Sequence, residues 1–547
     1  MHSQQKHTPI SRKAVRAVFV LCVIGLLWLF IETSRSEFEQ LESLRVEESE
    51  TEAAGSIFEE TAPSESPESA QEESWEEHLQ YPPNAIRDEL VIHFDNSGDY
   101  YAYLDALAKA GFSVQGQIDA LLSVRIPTEM ARRIHPGRFG GRSSFSYVVQ
   151  RPSLPNELDP GALSLLRGFG NSARAITSGG PGAGDGSGVL VAVLDSGLEA
   201  HAQFEGLEIL ELDLSGEGLA GPGSDHGTSV ASIIAGSEGV APNADLMVVR
   251  VFNEAGQGSS YDVARGIVEA VDQGAKIINM SLGVYQDAAV MREAVKYAVD
   301  RDVLLVAAAG NDAIDVLPYP AAYEEVLAVT AVDAIGQQAI FPNQSTTIDF
   351  AAPGVGVIAA GDADGLIAFS GTSAAAPFVS GTLAALMSGE GPLTPQAAVD
   401  FLDRYANEAG APGDDPRFGG GVLDWDRMKE NGDRGVVDVA LASVYIPPSS
   451  LPGTLAAIDV TVENRGTQWL DQAELQIAIG DQEPKTYPIS SLTVGETTTR
   501  RIYAEIPASE DDGLLQVRAQ VLTEEVETDV RLENNMTAVR FLPAPQR

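Results

Sequence analysis

With 547 residues the chain is too long for a single hydrophobic core and should divide into three or four domains. Its 79 acidic against 35 basic residues give a formal net charge of −44, so long-range repulsion works against nucleic acid as a partner and against direct binding to anionic lipid. The one cysteine, Cys22, leaves no pair for an intramolecular disulfide, and the fold must rest on its cores.

In chain order, residues 1–35 carry a localisation signal. Lys6, Arg12, Lys13 and Arg16 precede an apolar run at 17–31, the pattern of an export signal and short for a full membrane span. No small-x-small cleavage site is evident in Ile31-Glu32-Thr33-Ser34-Arg35, which favours an uncleaved anchor with its basic end in the cytoplasm; a cleaved signal with a secreted product is the other outcome. Either way the remainder of the chain is expected to be exported. Residues 36–86 are rich in Glu, Ser and Pro with few apolar groups to bury, and are expected to form an acidic, self-repelling, disordered linker. Residues 87–150 alternate strand-like and helical patterns: a strand at 90–94, a helix at 99–110, a strand at 120–126, a short helix at 129–134 and a closing strand at Ser146-Tyr147-Val148-Val149, together a small α+β unit. A Gly-, Pro- and Ser-rich connector follows at 151–187.

The next region, 188–432, carries the chemistry. Val189-Leu190-Val191-Ala192-Val193-Leu194 is a fully apolar run of strand length that ends in Asp195-Ser196-Gly197, so a carboxylate sits where a buried parallel strand emerges. Asp225-His226-Gly227-Thr228-Ser229 opens a helical run. Ile277-Ile278-Asn279-Met280-Ser281-Leu282-Gly283 and the strand at 303–309 leading to Gly310-Asn311 come next, then Asp349-Phe350-Ala351-Ala352-Pro353-Gly354. Phe369-Ser370-Gly371-Thr372-Ser373-Ala374-Ala375-Ala376-Pro377 sets a serine on a small-residue turn opening an apolar helix, with Pro377 tolerable in its first turn. Singly, these motifs have plain structural readings as turns and helix caps. As an ordered set, with the reactive types in the sequence Asp, His, Ser, they resemble the subtilisin-like serine peptidases, the subtilases.

That resemblance implies an α/β fold, a parallel sheet with helices on both faces, and a role for each matching residue. Ser373 would be the nucleophile, His226 the acid/base, Asp195 the group orienting the imidazole, and the Asn311 side chain with the Ser373 N–H the donors to the oxyanion. Ser281, Leu282 and Gly283 would pair with an extended peptide substrate, and Ala308, Ala309 and Gly310 would line a wall of the main side-chain pocket. In the segment matching the pocket floor, Pro318 and Ala321 replace positions where glycine is common, which points to small or medium apolar side chains. Ala374 and Phe378 stand where methionine and histidine are frequent, neither of them catalytic in the family. The unit at 87–150 takes the place of the family's propeptide, which assists folding and covers the active site, with a maturation cut expected in the connector or at its leading edge. No cofactor or metal is required for this chemistry; calcium often stabilises the family, but no complete oxygen-ligand set is legible here.

From 435 to 547 the pattern changes to short alternating strands separated by turn residues, an all-β sandwich. Val462-Glu463-Asn464-Arg465-Gly466-Thr467 and Glu533-Asn534-Asn535 resemble the CARDB-type, immunoglobulin-like modules of exported bacterial enzymes, which implies tethering to a surface or protein partner rather than catalysis. The functional expectation is an exported, self-maturing serine endopeptidase acting on protein or peptide substrates. A processing protease restricted to one docked partner and a non-catalytic surface-binding scaffold are the two rivals.

Overall fold

The structure, a computed structural model, describes residues 80–152, 166–180, 184–221, 223–507, 514–523 and 529–541. The apolar run at 17–31, most of the acidic linker and part of the connector lie outside the described residues. Among those described, no helix is long and apolar enough to cross a membrane.

The small N-terminal unit contains β1 (Glu89–His93), α1 (Ser97–Lys109), β2 (Gly116–Ile118), β3 (Ser123–Pro127), α2 (Thr128–Arg133) and β4 (Arg142–Ser144). Its antiparallel sheet has the order β2-β3-β1-β4. Helix α1 starts where the Asn96 side chain accepts the Asp99 N–H at 3.0 Å, and it buries Tyr100, Tyr103 and Leu107, which share one face at helical spacing. The strand expected at 146–149 is instead β5 (Val148–Gln150), and it does not complete this sheet. It pairs antiparallel with β9 (Gln257–Ser259) of the next domain.

After α3 (Ala173–Ile176), the α/β domain is built on β6 (Leu190–Asp195), β7 (Ile209–Asp213), α4 (Asp225–Ile234), β8 (Asp245–Arg250), β9, α5 (Ser260–Asp272), β10 (Ile277–Met280), α6 (Ala289–Val299), β11 (Leu304–Ala308), β12 (Leu327–Val332) and β13 (Phe350–Pro353). The hairpin β14 (Val357–Ala360) and β15 (Leu366–Phe369) leads into α7 (Thr372–Leu386), followed by α8 (Pro395–Tyr405), β16 (Ala406–Asn407), β17 (Val422–Leu423) and α9 (Trp425–Glu430). Nine strands form one sheet, β16-β17-β13-β12-β11-β10-β6-β8-β7, parallel except at β16. Because strand side chains alternate, Val191 and Val193 of β6 enter the core beneath α4 and α7, while Ala192 and Leu194 enter the opposite core beneath α5 and α6. Helix α7 is buried along its whole length, consistent with its nearly uniform small and apolar composition. The chain leaves β6 toward β8 on one side and later continues from β10 on the other, so the carboxyl end of β6 lies at a reversal of strand order, where open α/β sheets bind ligands.

The C-terminal domain comprises β18 (Val439–Tyr445), β19 (Leu455–Asn464), β20 (Ala473–Ile479), β21 (Lys485–Ile489), β22 (Thr497–Glu505), β23 (Leu515–Thr523) and β24 (Met536–Phe541). Sheets β18-β19-β22 and β21-β20-β23-β24 enclose a separate core, and β23 alternates buried and half-buried residues throughout, the mark of a strand with one face inward. Charge pairs, one buried and one half-buried, clamp this sandwich to the α/β domain. Arg427 of α9 donates through Nη1 to Glu463 Oε1 of β19 at 2.7 Å, and Arg531 bridges Glu430 of α9 and Asp438 at 2.8 and 2.6 Å.

Candidate active site

Asp195 is the last residue of β6. Its carbonyl accepts the Val251 N–H at 2.8 Å, and its fully buried carboxylate accepts the Ser196 N–H on Oδ1 at 2.7 Å. The same oxygen lies 2.8 Å from His226 Nδ1. A carboxylate so enclosed needs donors, and the Ser196 amide and the imidazole supply two to Oδ1, while Oδ2 is buried without a hydrogen bond inside the protein. His226 is the second residue of α4, and the helix start is fastened to the strand end by the Gly227 N–H donating to Ser196 Oγ at 3.0 Å. Glycine is required after the histidine, because a Cβ at 227 would lie 2.3 Å from the Gly197 carbonyl oxygen. Phe369 packs its ring edgewise against the imidazole, with centroids 5.4 Å apart.

Ser373 is the second residue of α7, entered through Gly371 at φ 131°, a conformation for which glycine is suited. At this position its N–H is one of the helix's first donors, which have no intrahelical acceptor. Pro377 is the sixth residue of α7, beyond the first turn expected for it. Lacking an N–H, it leaves the Ser373 carbonyl without the usual i+4 partner. That carbonyl instead accepts from Ser281 Oγ at 3.3 Å; Ser281 Oγ accepts from Asn279 Nδ2 at 3.2 Å, and Asn279 Oδ1 accepts from Ser380 Oγ at 3.0 Å. This buried chain of bonds ties the Ser373 backbone to the end of β10. The serine hydroxyl and His226 Nε2 are both buried, and neither makes a hydrogen bond within the protein; the Ser373–His226 bond itself is not formed.

Asn311 follows β11, and its Oδ1 accepts two bonds from Thr372, one from N–H and one from Oγ1, each 2.9 Å. Thr372 Oγ1 in turn accepts the Gly310 N–H at 3.1 Å. With its oxygen committed to the residue beside Ser373, the Asn311 amide is fixed in rotation and can donate only through its NH2 group. Thr372 is a supporting residue that the motif reading passed over. Its signal was the hydroxyl in Gly-Thr-Ser, read there only as a cap.

Of the expected substrate-binding residues, Gly283 exchanges both backbone hydrogen bonds with Gln150 of the N-terminal unit, at 3.0 and 2.9 Å. Leu282 is fully buried in the core and Ser281 turns its side chain to the Ser373 carbonyl. Gly310 lines a cavity of about 90 Å³ with Gly283, Tyr285, Asp312 and Pro318. Ala308 and Ala309, expected on a pocket wall, instead point into the two cores on opposite faces of the sheet, because successive residues of an extended segment alternate faces. Pro318 packs closely over Gly283, where a Cβ would lie 2.6 Å from the Pro318 Cβ. Burial and the neighbouring Asp312 carboxylate push the Tyr285 hydroxyl up, keeping it a donor to Asp312, and Asn343 Nδ2 donates to the same hydroxyl at 3.0 Å. Among the described residues no group of three or more His, Cys, Asp or Glu side chains is placed to hold a metal ion.

Comparison with known proteins agrees with the architecture. Residues 186–421 match the subtilase family and residues 437–539 match CARDB. Alkaline elastase YaB of Bacillus sp. is 38% identical over 244 residues, covering 44% of this chain and 64% of its own length. A thermostable alkaline protease of Halalkalibacterium halodurans is 37% identical over 236 residues, covering 42% and 64%. The chain thus spans under two thirds of the length of these two relatives. Subtilisin Savinase of Lederbergia lenta, 35% identical over 244 residues, is covered over 89% of its length. At 35% identity across 89% of that last relative, and with residues 186–421 matching the family, the chain belongs to the subtilase family.

Proposed function

We propose that the protein is an exported serine endopeptidase that hydrolyses peptide bonds through an acyl-enzyme. The observation that carries this reading is the buried Asp195–His226 pair at 2.8 Å, whose Nε2 makes no bond within the protein and whose ring is packed by Phe369, four residues before Ser373. In the proposed cycle the Ser373 hydroxyl gives its proton to Nε2 as Oγ attacks the carbonyl carbon. Asp195 holds the Nδ1 proton and stabilises the imidazolium. Negative charge on the former carbonyl oxygen is met by the Asn311 amide and the Ser373 N–H, both fixed before reaction. His226 then protonates the departing amine, and water repeats the sequence on the acyl-enzyme. Extended backbone pairing at Gly283 would hold many sequences, and the small cavity bounded by Pro318 favours small or medium apolar side chains beside the cut.

The same geometry supports a proposal of self-maturation. The tail of the N-terminal unit, β5, lies as a strand between β9 and Gly283, with Val149 fully buried, as an extended substrate would. Arg151 and Pro152 lead from it to the cavity beside Gly310. The cut is therefore proposed at the leading edge of the connector, immediately after Pro152. Export rests on the basic and apolar N-terminal segment, and the sandwich is proposed to position the enzyme. The test is N-terminal sequencing of the wild-type product beside Ser373→Ala, with casein hydrolysis measured with and without a serine-directed inhibitor. Inhibitor-sensitive hydrolysis with processing lost in Ser373→Ala is expected; processing that persists in isolated Ser373→Ala protein would refute self-maturation.

A further inference from the structure

The residue after the paired strand makes a contact that backbone pairing does not explain. Arg151 donates its N–H to the Gly256 carbonyl at 3.3 Å, so the tail is held by Gly283 on one side and Gly256 on the other. Its side-chain stem lies over Gly256, where a Cβ would come within 3.4 Å of Arg151 Nε and 3.5 Å of Cδ. The absent side chain leaves a floor for an extended guanidinium stem. At the end of that stem, Arg151 Nη1 is 3.9 Å from Asp225 Oδ1, with both side chains part-exposed. Asp225 is the first residue of α4 and directly precedes His226. A cationic side chain here is thus held one residue from the proposed general base.

We infer that Asp225 is a specificity residue: it selects substrates bearing a cationic side chain at the position Arg151 occupies, one residue before Pro152, which with Arg151 lines the cavity at Gly310. The inference rests on the endopeptidase reading. The acceptor is an aspartate at a site where the stem is already supported, so recognition needs both length and charge, and a guanidinium satisfies both. An acid in the first turn of a helix also favours the helix dipole whatever the substrate. That role would alter hydrolysis of all substrates alike and cannot discriminate between side chains of equal shape.

The test uses the mature enzyme and two internally quenched peptides, Val-Val-Gln-X-Ala-Ser-Leu with X arginine or citrulline, which differ in charge but hardly in shape. At low ionic strength the arginine peptide should show a kcat/KM about two- to fivefold higher, the range expected of a part-exposed ion pair, and the ratio should shrink as salt is added. Asp225→Asn should bring the ratio to near one, and Asp225→Glu should restore part of it. Because both peptides meet the same enzyme, any change in the catalytic machinery cancels in the ratio. A ratio near one in the wild type, or one unchanged in Asp225→Asn, would overturn the inference while casein hydrolysis still upheld the peptidase reading. Failure to hydrolyse casein and both peptides would overturn the peptidase reading and this inference with it.

Discussion

Replacing Glu463 with alanine should destabilise the protein through charges it leaves behind. Glu463 is buried; its Oε1 takes the Arg427 guanidinium at 2.7 Å, and its Oε2 takes Arg465 Nε at 2.9 Å and the Glu408 N–H at 3.1 Å. Arg427 is itself only 2% exposed and cannot reach water when its partner goes. Removing one member of a buried pair costs about 3–5 kcal/mol, whereas replacing both by apolar groups is often near neutral. Arg427 Nη1 keeps the Ala406 carbonyl at 3.0 Å and Asn407 Oδ1 at 2.8 Å, and relief of repulsion on Glu408 offsets a little more. The lower end, about 3 kcal/mol, is therefore expected for Glu463→Ala. For a cooperative unit of roughly 360 residues, at about 2.1 cal/mol/K of unfolding entropy per residue, that corresponds to a fall of roughly 4 °C in the shared transition of the two domains. Thermal unfolding should be followed in a Ser373→Ala background, so that self-digestion does not distort the curve. The Arg427→Met/Glu463→Leu double variant should recover most of the loss. A single-variant loss below about 1 kcal/mol, or a double variant as unstable as the single, would refute the claim that these buried charges clamp the two domains.

Asn311→Ala should lower kcat by roughly 100- to 1,000-fold with little change in KM, a magnitude carried over from subtilisin, where an asparagine amide fills this role. Steady-state kinetics on a single peptide decides it; a rise in KM at constant kcat would remove Asn311 from oxyanion stabilisation. Glu408 gives a pH signature: burial, with repulsion from Glu463, Asp415 and Asp414, raises its carboxyl from an ordinary 4.5 to about 7. The folded state therefore holds a proton that the unfolded chain releases, and this contribution, full below about 4.5, is lost as pH rises to about 7. Glu408→Gln should raise the melting temperature at pH 8 relative to the parent and narrow the difference at pH 4.5. Equal effects at both pH values would contradict the assignment.

The strands and helix starts that carry Asp195, His226, Ser373 and Asn311 were legible because each sits at a local boundary: an apolar run ending in a carboxylate, a polar residue opening a helix, an asparagine after a glycine. Such boundaries follow from period and propensity. What was not legible depends on partners distant in sequence. Val148–Gln150 has the composition of a strand whichever sheet it joins, so its pairing with β9 rather than with its own unit could not be read from its residues. Ala308 and Ala309 look like pocket lining until the sheet assigns each to a core. Pro377 looks like a helix-start residue, and only the Ser281 hydroxyl under the Ser373 carbonyl explains its place in the second turn.

On the self-maturation proposed above, latent and active forms would use the same contacts, which limits what could keep the site closed. A tail that pairs with Gly283 and β9 gains what any extended substrate gains, so its advantage over substrate must come from the unit that presents it. Arg125 of β3 supplies part of that: it pairs with Asp262 at 3.0 Å and lies over the Tyr261 ring at 4.7 Å, at the first turn of α5. The anchorage is incomplete, however. Arg125 Nε, Tyr261 Oη and Glu89 Oε1 are buried without a hydrogen bond inside the protein, and burial raises the Glu89 carboxyl pKa against the opposing pull of Arg125. Buried polar groups left in this state weaken an interface relative to its area. While the chain is continuous, the high effective concentration of a tethered unit would make up for that weakness; the proposed cut in the connector would remove that compensation. One interface can thus hold the site shut before cleavage and yield to competing chains after it, with no change in how the cleft itself binds.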